Sequence, residues 1–177
     1  MRALFLCLPL LFLAACDSTT EAPELDRTAL QIRINNPGVD RLEQRFTRSE
    51  TVATVGVFPE ACGGATVLTF VGRNAEGQAL RLEATVDTDG ALEVPFTTDI
   101  ASEDLESEVT FTGPLPGTTE TANGFRFNVS RGVLSLIEST SSRSFGAIQV
   151  SGGANGFDMD ATAAFDVVPT ALSCDNA

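Results

Sequence analysis

Few covalent mechanisms are open to a chain that contains no histidine, lysine, tryptophan or tyrosine. Without histidine there is no Ser-His or Cys-His nucleophile pair and no imidazole metal site. Without lysine there is no phosphate-loop lysine, Ser-Lys dyad or Schiff base. Carboxylates remain, and there are 24 of them. Two acids about 5–10 Å apart can hydrolyse a glycosidic bond between them. Yet no Trp or Tyr is available to stack on a sugar ring, and no segment sets acids into an apolar pocket pattern. An acid-pair glycosidase is therefore the third of three functional readings.

Hard oxygen ligands point to calcium as the one cofactor the sequence offers. They occur in Asp87-Thr88-Asp89-Gly90 and Asp158-Met159-Asp160, so Asp87, Asp89, Asp158 and Asp160 are the metal candidates. Neither run has the glycine spacing of an EF-hand loop. The competing readings are a hairpin turn for the first and a solvated strand face for the second. Asp99, Glu103, Asp104, Glu106 and Glu108 form an acid-rich run that reads as a solvated loop or helix face.

Every basic residue is arginine, eleven in all, against a formal net charge of −13. Such a surface repels phosphate backbones, so nucleic acid is not expected as a partner. The lack of lysine fits either salt adaptation or a codon bias. Arg27, Arg33, Arg41, Arg45 and Arg48 gather early in the chain. If Val39, Leu42 and Phe46 mark a short helix after Pro37-Gly38, then Arg41, Arg45 and Arg48 share its opposite face. They would rest on anionic headgroups or pair with nearby carboxylates.

Thiols complete the inventory: Cys7, Cys16, Cys62 and Cys174. The first two belong to a segment with a basic start at Arg2 and an apolar run from Ala3 to Ala15, the layout of an export signal. The run falls short of the roughly 20 apolar residues a spanning helix needs, and it contains Pro9. Leu13-Ala14-Ala15-Cys16 resembles the lipobox of bacterial lipoproteins. That resemblance implies diacylglyceryl transfer to the Cys16 sulfur, cleavage before Cys16 and acylation of the freed amine. It implies residence in the cell envelope, anchored to a membrane through the Cys16 lipid. Asp17 leaves inner and outer membrane both open. Residues 17 to 26 are polar, contain Pro23 and read as a flexible tether from residue 16.

If Cys7 leaves with residues 1–15 and Cys16 carries lipid, Cys62 and Cys174 remain for a disulfide in an oxidising compartment. It closes a loop of about 110 residues, worth on the order of 4–5 kcal/mol in the chain-entropy model. Two free thiols are the alternative.

The elements that must position these groups are strands. Period-two alternation dominates residues 27–177, which read as a single β-rich domain. Leu80, Leu82, Ala84 and Val86 share a face; Leu92, Val94 and Phe96 resume it after Asp89-Gly90, which predicts a hairpin. Further strands are predicted at 51–58, 65–72, 107–112, 124–130, 132–138, 144–151 and 157–168. Val67, Leu68, Phe70 and Val71 predict a central strand covered on both sides. Gly113 to Gly124 reads as a long exposed loop, and Asn128-Val129-Ser130 as strand sequence despite its glycosylation-acceptor form. About nine short strands predict an all-β antiparallel sandwich or small barrel, with one short helix near 38–48.

The layout is similar to small β-rich envelope lipoproteins. It leads to a non-enzymatic, membrane-anchored lipoprotein whose β-domain binds a protein or polysaccharide partner or plays a structural part. A barrel carrying an apolar ligand is the alternative.

Overall fold

A computed structural model describes residues 30–86, 96–99 and 105–174. Residues 1–29, including Cys16 with its lipobox and the tether, lie outside them, as do Asp87, Asp89, Glu103 and Asp104. Eleven strands, paired almost entirely antiparallel, build the molecule: β1 Leu30–Asn36, β2 Asp40–Phe46, β3 Thr51–Val57, β4 Thr66–Arg73, β5 Ala79–Val86 and β6 Phe96–Asp99. They continue with β7 Leu105–Pro114, β8 Thr121–Ser139, β9 Ser144–Ala154, β10 Phe157–Val167 and β11 Thr170–Ala171. The all-β antiparallel class is as the alternation predicts.

Pairing runs unbroken in the order β11-β3-β4-β5-β7-β8-β9-β10-β1-β2, with β6 added on β8, and it does not close. The first half of the 19-residue β8 pairs with β7, and its second half pairs with β9 and β6. One long strand thus turns a single ribbon into two facing layers. Between them lie Phe46, Phe70, Phe111, Phe127 and Phe165 with Leu68, Leu80, Leu82 and Ile32, all buried. Phe70 of β4 and Phe165 of β10 meet across the layers with ring centroids 5.4 Å apart. Each such ring removes about 150–250 Å² from water.

A bulge in β8 decides which of its residues face out. Phe127 and Val129 point inward at odd positions, whereas Leu134 and Leu136 point inward at even ones. The change of parity comes from Ser130, which has no partner while Val129 and Arg131 pair with Gly152 and Ser151. One extra residue reverses the face of everything after it. If the same sequence ran as an unbulged strand, Arg131 would point into the core.

Four expectations need correction. The segment near 38–48 is the strand β2, followed by a 3-10 turn at Arg48–Glu50. Leu42, Gln44 and Phe46 face inward and Arg41, Glu43 and Arg45 outward. The polar Gln44 interrupts the apolar alternation, which leaves the helical spacing of Leu42 and Phe46 as the better match. Pro37-Gly38 starts no helix; Gly38, at φ +77, sits in the turn joining β1 to β2, closed by Val39 N–H donating to the Asn36 carbonyl at 3.0 Å.

Nor does β5 pair with Phe96 at the far end of the predicted hairpin, whose Leu92 and Val94 lie outside the described residues. Both of its edges are occupied along their whole length, by β4 and β7, and Phe96–Asp99 pairs with β8 in the other layer. The proposed loop from Gly113 to Gly124 shrinks because β7 extends to Pro114 and β8 begins at Thr121; Leu115 and Pro116 are buried. Finally, β4 is central, but Val67 and Val71 are only half-buried on its outer face.

The disulfide between Cys62 and Cys174 is present, with the Cα atoms 5.5 Å apart. It holds the chain end beside β3, where β11 adds a two-residue parallel pairing and Leu172 N–H donates to the Val57 carbonyl at 2.9 Å. The Leu172 side chain lies over Gly56, where a Cβ would collide with it.

Candidate functional site

The layer formed by β2, β1, β10, β9 and the second half of β8 turns its apolar residues inward and a polar surface outward. Strand register sets out that surface in rows. Glu43, Arg33, Asp160, Ser151 and Arg131 follow one another across the five strands. Arg41, Asn35, Asp158, Gly153 and Asn128 form the next row. At roughly 4.8 Å per strand, each row is about 19 Å wide.

An open groove of about 860 Å³ lies over these rows, lined by Arg33, Arg41, Arg131, Asp158, Asp160 and Ser151 among others. It continues past Arg131 along Val133 and Gln149 to Asp99. Its floor is low because Gly153, in the outward row opposite Asp158, carries no side chain, and the backbone of Gly152 beside it lines the groove. A Cβ on Gly152 would collide with the Asn128 carbonyl oxygen, and one on Gly153 would come within 2.7 Å of the Phe157 carbonyl oxygen. The β8 backbone therefore approaches β9 at a spacing only glycine allows.

Charge is unevenly satisfied inside this groove. Glu43 accepts from Arg33 Nε at 3.0 Å, from Arg41 at 3.3 Å and from Arg45 Nε at 2.9 Å. Partial burial by itself would raise its pKa, but the hydrogen bonds and charges of Arg33 and Arg45 outweigh that and hold the carboxyl below the usual glutamate range. One carboxylate cannot neutralise three guanidinium groups. Asp160 accepts the Ser151 hydroxyl at 2.6 Å. Arg131 and Asp158 have no hydrogen-bonding or ionic partner among the described residues.

The arginines singled out from sequence divide. Arg41 and Arg45 project from the same face of β2 on either side of Glu43, whereas Arg48 opens the 3-10 turn beyond the strand. The three do not share a helix face. Asp158 and Asp160 do come together, two residues apart on the wet side of β10, in the groove. Among the described residues no three acidic or cysteine side chains gather as a metal site. Arg131, Asn35 and the two glycines were not identified from sequence. The parity change between Phe127-Val129 and Leu134-Leu136 is a readable sign of a bulge, and a bulge re-aims its neighbours.

Away from the groove, Arg143 bridges Glu138 at 2.7 Å and Asp166 at 2.8 Å and lies 5.1 Å over the Phe145 ring. Hydrogen bonding to Asp166 raises the pKa of its guanidinium further above an already high value. This cluster ties the turn between β8 and β9 to the ends of β8 and β10.

Fold and site together define an all-β, two-layer protein with an open polar groove on one outer face. The chain matches no protein-family model, and no curated protein or solved structure matched it.

Proposed function

We propose that this chain is a lipid-anchored envelope lipoprotein that performs no catalysis and binds an extracytoplasmic partner through the outer groove of its second layer. The anchor rests on the lipobox at Leu13-Ala14-Ala15-Cys16. Binding rests on one observation: groups of both signs with no partner among the described residues, Arg131 and Asp158, face a single open groove whose floor is cleared by glycine. Unsatisfied charge on a rigid strand platform is where a polar ligand gains hydrogen bonds without disturbing existing ones.

Two features support external binding over the other readings. Side chains of both layers interdigitate in the interior around Phe70, Phe111, Phe127 and Phe165, where an apolar cargo would have to sit. Asp158 and Asp160 stand side by side on one strand, not opposite each other across a cleft, so they do not flank a bond as glycosidase acids must.

Two measurements on the chain expressed in a bacterial envelope test the proposal. Intact mass is expected to show loss of residues 1–15 and the added lipid on Cys16; an unmodified N-terminus overturns the anchor. Amide shifts during titration with envelope extract fractions are expected at Ser130, Gly152 and Gly153. Shifts confined elsewhere overturn the groove.

A further inference from the structure

We propose that the ligand of this groove is a short peptide bearing both a free carboxylate and a free ammonium, held by Arg131 and Asp158 respectively. This rests on the groove reading above and adds the chemistry of the occupant.

Three classes of polar ligand reach an envelope surface, and the residues distinguish them. An anionic polymer would gain from Arg131, Arg33 and Arg41, but any part of it beyond the groove would meet a chain of net charge −13. A neutral glycan is usually held by an aromatic platform, and this chain has neither Trp nor Tyr. It would also leave a guanidinium and a carboxylate desolvated without an opposite charge, which costs affinity. A zwitterion is indifferent to the net charge and satisfies both groups at once.

The spacing fits a ligand of two or three residues. Arg131 stands opposite Ser151 and hence Asp160, while Asp158 lies two residues further along β10. Two strand spacings and two residue rises put the backbones of Arg131 and Asp158 about 12 Å apart. The guanidinium reaches several ångströms from its backbone, so the charged heads can lie near the roughly 10 Å span of an extended tripeptide. Arg131 offers a planar fork of donors that matches a carboxylate in two parallel hydrogen bonds. Asp158 offers only acceptors, the complement of an ammonium. Asn35, beside Asp158 in the same row, is placed to hydrogen-bond a peptide group between the two ends.

Asp160 cannot replace Asp158 in this role, because its carboxylate already takes the Ser151 hydroxyl. Arg33 and Arg41 cannot replace Arg131, because each is drawn to Glu43. The bulge at Ser130 is the device that makes the pair, since it turns Arg131 outward opposite Ser151.

The test titrates the full chain in detergent micelles with trialanine bearing free ends, with its N-acetyl and C-amide forms, and with chitotetraose as the glycan control. Calorimetry reads affinity, and amide shifts of Ser130, Gly152 and Gly153 read location. Free trialanine is expected to shift those amides, and blocking either end to weaken binding at least tenfold. Asp158→Asn should erase the discrimination against the acetylated form, and Arg131→Gln that against the amidated form, with melting temperatures unchanged. Equal binding of all three peptides overturns the proposal. Shifts with chitotetraose but not trialanine overturn the peptide while leaving the groove in place. Shifts with neither overturn both.

Discussion

Glu43 anchors three arginines with one carboxylate, and its depressed pKa makes that arrangement dependent on pH. Glu50 behaves alike, because the Thr47 backbone N–H donates to it at 2.9 Å and the Thr47 hydroxyl at 2.8 Å. A carboxyl whose folded pKa lies below its unfolded value near 4.5 stabilises the fold above that value, and the contribution disappears as pH falls through the folded pKa. Chemical melts are therefore expected to weaken below about pH 4.5, with a shallower decline in Glu43→Gln; identical pH profiles would refute the role of Glu43. Gly152 makes a second residue-scale prediction. Gly152→Ala forces a Cβ against the Asn128 carbonyl, and backbone cannot yield as a side-chain tip can. A loss of roughly 1–3 kcal/mol is expected in denaturant unfolding, accompanied by shifts of the Ser130 amide. At this scale the sequence was only partly readable. Asp158 and Asp160 stood out by type, but as oxygen ligands for calcium. Their partner Arg131 sits 27 residues before Asp158, and only strand register, invisible in one sequence, puts them on one face.

Strands were the easiest elements to read where one face is dry. Leu80, Leu82, Ala84 and Val86 are all buried, as their alternation requires, and β10 carries Met159, Ala161 and Phe165 inward and Asp158 and Asp160 outward. Reading failed where a polar residue interrupts the inner face, as Gln44 does in β2, and where pairing partners had to be chosen. Leu92 and Val94 continue the pattern of β5 but nothing local reveals that β7, from further along, takes that edge. Disulfide and bulge make the predictions at this scale. Replacing Cys62 and Cys174 by serine frees the end of the chain from β3 and opens a loop spanning 112 positions, and about 4–5 kcal/mol is expected to be lost. Denaturation midpoints of the oxidised, reduced and serine forms measure it; coincident midpoints would contradict the staple. Deleting Ser130 is expected to be milder. The residue lost is the one skipped in the ladder, so the bulge closes while Arg131 stays outward and Leu134 and Leu136 stay inward, and a loss below about 3 kcal/mol is expected, read by denaturant unfolding of the purified variant. Ser130→Ala, which keeps the extra residue, should fold normally.

For the molecule as a whole, β8 decides how the layers depend on each other. It supplies a paired strand to each, so neither layer keeps its hydrogen bonds if β8 leaves. The core is also shared: Phe70 belongs to one layer and Phe165 to the other. Two layers joined by a tether could unfold separately, but two layers cut from one ribbon around one core should not. Unfolding is therefore expected in a single transition, with the near-ultraviolet phenylalanine signal and amide exchange in β4 and β10 reporting the same midpoint. Folding should be slow for the same geometric reason. β1 at the start of the described chain pairs with β10 near its end, Leu30 opposite Ala163, so a long loop must close before that pairing is rewarded. Rates of milliseconds to seconds are expected in stopped-flow refolding of the oxidised protein, and the disulfide sharpens the test. The bridge also shortens the path from β1 to β10 in the unfolded chain, because Cys62 lies 32 positions after Leu30 and Cys174 lies 11 positions after Ala163, so about 44 residues then separate the pair in place of 133. If closing that path limits the rate, breaking the disulfide should slow the folding limb of the chevron by about fivefold through loop-closure entropy. A folding limb left in place, with the whole loss of stability in faster unfolding, would instead assign the slow step to another pairing.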